Sequence, residues 1–353
     1  MNDDKMRFYY QESSKAQRVH GLGVFEGNHK TDLAVLGAGF TGLLTAIEMA
    51  ELGYKVTILE AEKLGYGASG RNGGHVCSGY TKEMDYVEKQ LGMADAAALW
   101  KLVAQGPEKI AANVKKHQID CDLSWGYIHA AARKHHLQGL AQMRAEWHRY
   151  GYDDHKMLTR DELLNRVQSE YYYGGVWEGG AGHLHPLKYL YGLARHALEL
   201  GVEIYEDSAV TGIVTGSSPA LITATGRLDA KFMVLAGNAY MQHRQPQLAP
   251  YLIPVGSYMM ATKPLGQSLA RTLIPHNEAV ADSNIVLDYY RIDAETRLIF
   301  GGRTTYSGME PADLNEFIHK RMRSVFHSLA IITRNMCGAA KLALRFIAPR
   351  ILG

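Results

Sequence analysis

Residues 33–60, LAVLGAGFTGLLTAIEMAELGYKVTILE, constrain this chain more than any other segment, because they read as one complete nucleotide-binding βαβ unit. The apolar run from Leu33 to Leu36 has the composition of a strand buried on both faces. Gly37, Gly39 and Gly42 follow at the spacing of a strand-to-helix turn. The first allows the tight turn, the second lets backbone N–H groups approach a pyrophosphate, and the third lets helix and strand pack closely. Phe40 and Thr41 open the helix, whose N-terminus presents the positive end of its dipole to phosphates. The helix ends near Gly53, a second apolar strand runs from Val56 to Leu59, and Glu60 closes it. A carboxylate there accepts hydrogen bonds from ribose hydroxyls and repels a 2′-phosphate, which disfavours NADP. A lone G-x-G-x-x-G says little. Strand, helix, second strand and acid in register predict a dinucleotide site.

Bulk properties set bounds on the rest. The 353 residues suffice for two domains with substantial cores. A formal net charge of +2, with 46% hydrophobic and 21% charged residues, gives no footprint for nucleic acid. Cys77, Cys121 and Cys337 are few, odd in number and far apart, as expected of free thiols in a reducing compartment. The polar N-terminus, MNDDKMRFYYQESSK, has no secretory h-region, and the longest apolar stretch, Leu33 to Ala50, is broken by glycines and Glu48. These features predict a cytoplasmic protein without a membrane span.

Residues 1–30 lack periodicity and read as an arm laid over the surface. Between Leu64 and Tyr80, GYGASGRNGGHVCSGY places six glycines in 17 residues, so the backbone there bends close to something. From Lys82 to about Val167 the pattern is helical, with Leu102, Val103 and Ile110 at helical spacing and a polar-faced segment from Leu137 to Tyr150. Thr159 and Glu162 form a capping box. Pro186 opens another helix that stops at Gly201. Short strands follow over Val202–Tyr205, Ala209–Val214, Leu221–Thr225 and Phe232–Leu235, the last running into Ala236 and Gly237. Strands resume at Ile253–Thr262, Ile285–Tyr290 and Leu298–Gly301, before a helix from Pro311 to Val325. This alternation predicts two interleaved domains. One, Rossmann-like, takes residues 31–85, 180–245 and 326–353. The other, α+β on an antiparallel sheet, takes residues 86–179 and 246–325.

At this point the motifs match something specific. The chain resembles the FAD-dependent amine and amino-acid oxidoreductases of the D-amino-acid-oxidase superfamily, and within it the gamma-glutamylputrescine oxidase branch. The resemblance covers roughly residues 9–350. It is carried by AVLGAGFTGL at 34–43, GASGRNGGHV at 67–76, GHLHPLKY at 182–189, VLAGNAY at 234–240, IPVGSYMMATKPL at 253–265 and LIFGGRTTYSG at 298–308. It implies that Gly37, Gly39, Phe40, Thr41 and Gly42 hold the FAD pyrophosphate and Glu60 the adenosine ribose. Ser69, Arg71, Asn72 and Gly73 would line the flavin end, with Gly74 and His75 beside the ring. Val210 would meet adenine through its backbone, and Ala236 and Gly237 would pass close to the cofactor. Tyr258 and Arg303 would form the substrate side. Arg71, with the glycine turn's N–H groups, would stabilise negative charge developing on the reduced ring.

The implied reaction passes hydride from an amine C–H to flavin N5, gives an imine that water hydrolyses, and returns the electrons to O2 as hydrogen peroxide. The implied substrate is gamma-glutamylputrescine or a similar small amine. A D-amino-acid or glycine dehydrogenase, and a non-catalytic remnant, stay open as alternatives. The same residues have plainer readings. Arg71 and Arg303 suit ion pairs, His75 a structural hydrogen bond, and Tyr258 the core. His183 and His185 share one face of an extended segment, but no acid or cysteine stands nearby, so no metal is expected. Tyr171, Tyr172 and Tyr173 read as a packed edge, and Cys77 and Cys337 as buried bystanders. The resemblance departs at the C-terminus. Ala348–Gly353 looks like the family's P-x-h-h-G element, after which relatives continue into a helix aimed at the flavin. Weaker FAD binding than in longer relatives is therefore expected.

Overall fold

The structure, a computed structural model, describes residues 9–80, 83–243, 247–252, 255–305, 313–327 and 340–342. In chain order it begins with α1 (Tyr9–Ser13), β1 (Gly27–Leu36), α2 (Phe40–Glu51), β2 (Val56–Leu59) and the short β3 (His75–Val76). Helices α3 (Met84–Leu91), α4 (Met93–Ala104) and α5 (Gly106–Lys116) come next, followed by β4 (Ser124–Ala130), α6 (His136–Arg149), β5 (His155–Leu158), α7 (Arg160–Leu164) and β6 (Gly175–His183). Then come α8 (Pro186–Glu199), β7 (Glu203–Tyr205), β8 (Gly212–Val214), β9 (Ala220–Ile222), β10 (Gly226–Leu235) and β11 (Gly256–Ala261). The remainder is α9 (Gln267–Leu273), β12 (Ala279–Asp282), β13 (Tyr289–Ile292), β14 (Leu298–Thr305), α10 (Leu314–Val325) and β15 (Ala340–Leu342).

Among the described residues the strands form two sheets. The first has the order β7-β2-β1-β10-β9-β8, with β7, β2, β1 and β10 parallel and β9 and β8 antiparallel. This is the Rossmann-like layer. Leu33 and Val35 of β1 face a core shared with Leu43, Ala46 and Ile47 of α2 and Leu187, Leu190 and Leu193 of α8. Ala34, between them, faces a second cluster with Phe25, Leu59 and Val210. Both faces are covered, which is why the strand reads as an unbroken apolar run.

The second sheet runs β15-β11-β14-β13-β12-β4-β6-β3, with β5 also on β6. All its pairings are antiparallel except β12 with β4. Leu314, Ile318, Met322 and Val325 of α10 cover one face, packing with Tyr258, Met260, Tyr290 and Phe300. Trp100 of α4 and Trp147 of α6 make a separate cluster against Val176 of β6. No helix among the described residues is long and apolar enough to cross a membrane.

The βαβ unit, the capping box at Thr159 and the helix opened by Pro186 lie where the pattern puts them. Two expectations are corrected and a third is refined. The stretch 82–167 is not all helical: it contains β4, whose alternation is broken by a register shift between Trp125 and Tyr127, and the short β5. Ile285, Val286 and Leu287 are exposed outside any strand, and β13 starts only at Tyr289. The N-terminal arm does run largely over the surface across its described residues, but buried Tyr9, Tyr10 and Phe25 anchor it and β1 begins inside it, at Gly27. The C-terminal P-x-h-h-G element at 348–353 lies outside the described residues, as do Pro311 and Cys337.

Candidate functional site

The ends of β1 and β10 meet at the first glycine turn, where Ala236 N–H donates to the Leu36 carbonyl at 2.8 Å. Gly37 has φ +98°, and a Cβ there would lie 2.8 Å from the Ala236 carbonyl oxygen. Gly42 is tighter, since its Cβ would fall 1.9 Å from the Gly37 carbonyl oxygen. Gly237 is closed in likewise by Met241 and Leu36. Helix α2 therefore begins as near the strand as backbone permits. Phe40, Thr41 and Gly42 supply first-turn N–H groups, which have no acceptor within a helix. Phe40 N–H donates to Ser69 Oγ at 3.0 Å, while Thr41 is exposed. A Cβ on Gly39 would crowd Ser69 Oγ at 2.9 Å. Glu60 accepts from Ala38 N–H at 2.8 Å and Glu62 N–H at 3.1 Å, and burial raises its pKa. Ser208 N–H donates to the Glu60 carbonyl, bringing the segment that leads to buried Val210 to the same rim. N–H groups at a helix start, a side-chain-free glycine turn and a carboxylate on the next strand fit a dinucleotide's diphosphate and ribose.

The second glycine turn is braced from within. Asn72 Nδ2 donates to the Ala68 and Ser69 carbonyls at 3.2 and 2.9 Å, and its Oδ1 accepts from Gly74 N–H at 2.9 Å. Gly74 has φ +73°, and a Cβ there would meet the Leu184 carbonyl oxygen at 2.1 Å. The Arg71 guanidinium lies over the Tyr66 ring at 4.3 Å. His75, at the start of β3, stands edge-on to Tyr127 and Tyr289, with ring centroids 5.4 and 5.6 Å away. Its Nδ1 is 3.1 Å from the Tyr127 hydroxyl, and its Nε2 is buried with no hydrogen-bond partner among the described residues. Burial, assisted by the nearby Arg291 charge, drives its pKa well down, so the ring is neutral. A buried ring nitrogen without a partner is costly unless a ligand completes it.

The structure does not bring every expected residue to this turn. Tyr258 is buried on the α10 face of its strand, its hydroxyl 3.2 Å from Thr305 Oγ1. Its neighbour Ser257 reaches the other face and lies 3.1 Å from the hydroxyl of Tyr289, the ring against His75. Arg303 occupies the β14 position opposite Tyr258. The pattern missed Tyr127, Tyr289 and Arg291. The one available signal was a charge in the middle of the apolar strand Tyr289-Tyr290-Arg291-Ile292.

The histidine pair does not converge on one point. His183 Nε2 donates to the Asn277 carbonyl at 2.8 Å, whereas His185 caps α8, its Nδ1 accepting from Lys188 N–H at 3.2 Å. Glu51, His117 and His196 do approach within 4.8 Å of one another. Their two rings are stacked at 3.5 Å and 25°, and Lys116 already holds Glu51 at 2.6 Å. Cys77 is exposed rather than buried, and Cys121 is buried.

Burial lowers the His183 pKa to about 3. The unfolded ring titrates near its ordinary ~6.5, so the stability gained by keeping it neutral is whole above that pH and drains as pH falls toward the folded value. Buried Asp288, pushed up to about 6, acts in the opposite sense, so a comparison of variants is needed to isolate the ring. His183→Gln keeps a donor for Asn277. Its stability relative to the unaltered chain is expected to rise by about 2 kcal/mol between pH 6.5 and 5. Urea unfolding at the two pH values measures this, and parallel curves would refute it.

A Rossmann-like βαβ layer beside a mostly antiparallel sheet, with a glycine turn between them, is the architecture of a dinucleotide-dependent enzyme. A family profile described as "FAD dependent oxidoreductase" matches residues 32–346, and the chain belongs to that family. It is an FAD-dependent oxidoreductase. It is 37% identical over 299 residues to a gamma-glutamylputrescine oxidoreductase of Escherichia coli, a match covering 84% of this chain and 70% of that protein. Among solved structures it is similar to a glycine oxidase from Geobacillus kaustophilus, with a TM-score of 0.69 and 20% identity over 86% of this chain and 80% of the other. An L-proline dehydrogenase from P. horikoshii also gives a TM-score of 0.69, with 18% identity over 86% and 79% of the two chains.

Proposed function

We propose that this chain oxidises the C–N bond of a small amine, with gamma-glutamylputrescine or a similar amine as substrate and O2 as final acceptor. Bound FAD supplies the two-electron acceptor for such a reaction. Gly37, Gly39, Phe40, Thr41 and Gly42 would hold its pyrophosphate, and Glu60 its ribose. Val210, Ala236 and Gly237 would flank the adenosine half. Ser69, Arg71, Asn72, Gly73 and Gly74 would receive the ring, and Arg303 would contribute to the substrate side.

The observation that carries this reading is the neutral His75 with an unmatched Nε2 beside the braced turn. An amine reaches the site mostly as an ammonium ion, and only its neutral form has a lone pair to release. A partly desolvated pocket lowers the ammonium pKa, and a positioned neutral imidazole accepts the proton. With Nδ1–H donated to the Tyr127 hydroxyl, Nε2 keeps its lone pair for that task. The E. coli relative's substrate supports the choice of amine.

The test is anaerobic addition of gamma-glutamylputrescine to the FAD-loaded chain. The visible flavin band is expected to bleach, and admitted O2 to restore it with release of one peroxide per cycle. Bleaching by glycine or D-alanine but not by the polyamine would overturn the substrate. No bleaching by any amine would overturn the reaction.

A further inference from the structure

We infer that Arg291 and Tyr10, 281 positions apart in sequence, are positioning residues that lock the Asn72–Gly74 turn in the orientation that receives the flavin ring. This rests on the reading that the turn faces a flavin.

Arg291 lies on β13 and is 1% exposed. Among the described residues it forms no ion pair. Its Nε donates to the Gly73 carbonyl at 2.8 Å, and its Nη2 donates to the Tyr10 hydroxyl at 2.9 Å. That hydroxyl in turn donates to the Asn72 carbonyl at 3.0 Å. Two successive carbonyls are thus drawn to one side of the turn by one cation and one phenol. All described peptides are trans, so the Gly73 and Gly74 N–H groups point the other way. Gly74 N–H meets Asn72 Oδ1, which leaves Gly73 N–H directed away from the guanidinium. A Cβ on Gly74 would stand 3.1 Å from Arg291 Nε and 3.2 Å from Nη2, so the guanidinium fills the space directly beneath the turn.

Burying a guanidinium without a carboxylate is expensive, and an apolar side chain would fill the same volume without that cost. What the arginine provides is direction: its planar fork fixes carbonyl orientation as a methylene chain cannot. Its charge is also felt locally. His75, His183 and His185 are held neutral first by burial and next by repulsion from Arg291. Helix α1 is in turn secured on both sides of Tyr10. The Tyr9 hydroxyl donates to Asp293, and Ser13 Oγ lies 2.8 Å from His185 Nε2. The N-terminal segment is therefore tied to the strand that carries Arg291 and to the start of α8.

The experiment titrates FAD and, separately, ADP into the apo chain and into Arg291→Met, Arg291→Lys and Tyr10→Phe. ADP reports the first glycine turn and Glu60, whereas FAD reports both turns. Losing a hydrogen bond from a charged group predicts FAD binding weaker by ten- to about a hundredfold in R291M, with ADP binding changed by less than about twofold. Tyr10→Phe removes one oxygen and should weaken FAD binding by about three- to tenfold on the same grounds. Arg291→Lys should recover only part of the R291M loss, because one ammonium cannot reproduce the fork. The visible band of bound FAD should change shape in all three. If R291M proves too unstable to titrate, Tyr10→Phe decides alone. Unchanged FAD binding and spectrum in the variants, or equal losses for ADP and FAD, would overturn the positioning role. An unaltered chain that takes up ADP but not FAD would instead overturn the flavin reading beneath it.

Discussion

Gly42→Ala is expected to cost the apo chain about 1–3 kcal/mol of stability, as overpacking of a fitted core does, and to weaken FAD and ADP binding alike. The added methyl would fall 1.9 Å from the Gly37 carbonyl oxygen and 3.3 Å from Val35 Cγ1. Neither is the flexible end of a long side chain, so α2 must move away from β1. The N–H groups of Phe40, Thr41 and Gly42 move with it. Losing a hydrogen bond to a charged phosphate costs about 1.5–3 kcal/mol, so a drop of about ten- to a hundredfold is expected for both ligands. Gly53→Ala makes the control. Its φ is +86° and nothing lies within 4 Å of the added Cβ, so only backbone strain of about 1–2 kcal/mol is expected, with nucleotide binding intact. Calorimetric titration and thermal unfolding of the two variants check this. Equal nucleotide affinity in Gly42→Ala and the unaltered chain would remove the βαβ turn from the cofactor site.

His75→Asn is expected to slow amine-dependent flavin reduction by about a hundred- to ten-thousandfold, the span of general-base contributions. The FAD content should stay near that of the unaltered chain. Asparagine keeps a polar group next to Tyr127 but has no basic nitrogen. The ring also packs edge-on to two tyrosines, so some loss of stability accompanies the change. Stopped-flow mixing with excess amine separates the two effects, since the reduction rate is read only from molecules that carry flavin. A reduction rate within about threefold of the original would assign His75 a purely structural hydrogen bond. A loss rescued at high pH, where more amine is already neutral, would support proton acceptance.

Much of the first layer was legible because its information is local. Leu33–Leu36, the three glycines and Val56–Leu59 lie within one βαβ unit, and each residue's environment follows from its near neighbours. The helix from Pro186 to Glu199 was equally plain, with proline at its start and Gly201 at φ +84° beyond its end. The second layer was less so. Strand β6, GVWEGGAGH, carries four glycines and a buried Glu178, and β12, AVAD, has only one β-branched residue. Their strand character comes from pairing with β4, not from their own composition. The candidate site shows the same division. Gly37, Gly42, Asn72 and His75 stand in readable motifs. Tyr10 and Arg291 meet across 281 positions of sequence, a separation that no periodicity can report.

The parallel pairing of β1 with β10 bears on how the protein is made. Gly27 pairs with Gly226 and Leu36 with Leu235, so the central strand of the nucleotide layer lacks one flank until most of the polypeptide has left the ribosome. Over that interval an apolar strand edge stays open to wrong partners, and contacts so distant in sequence close slowly. Biogenesis of this enzyme should therefore depend on chaperones that shield its earliest strand, and a nascent chain halted before residue 226 should be insoluble without them.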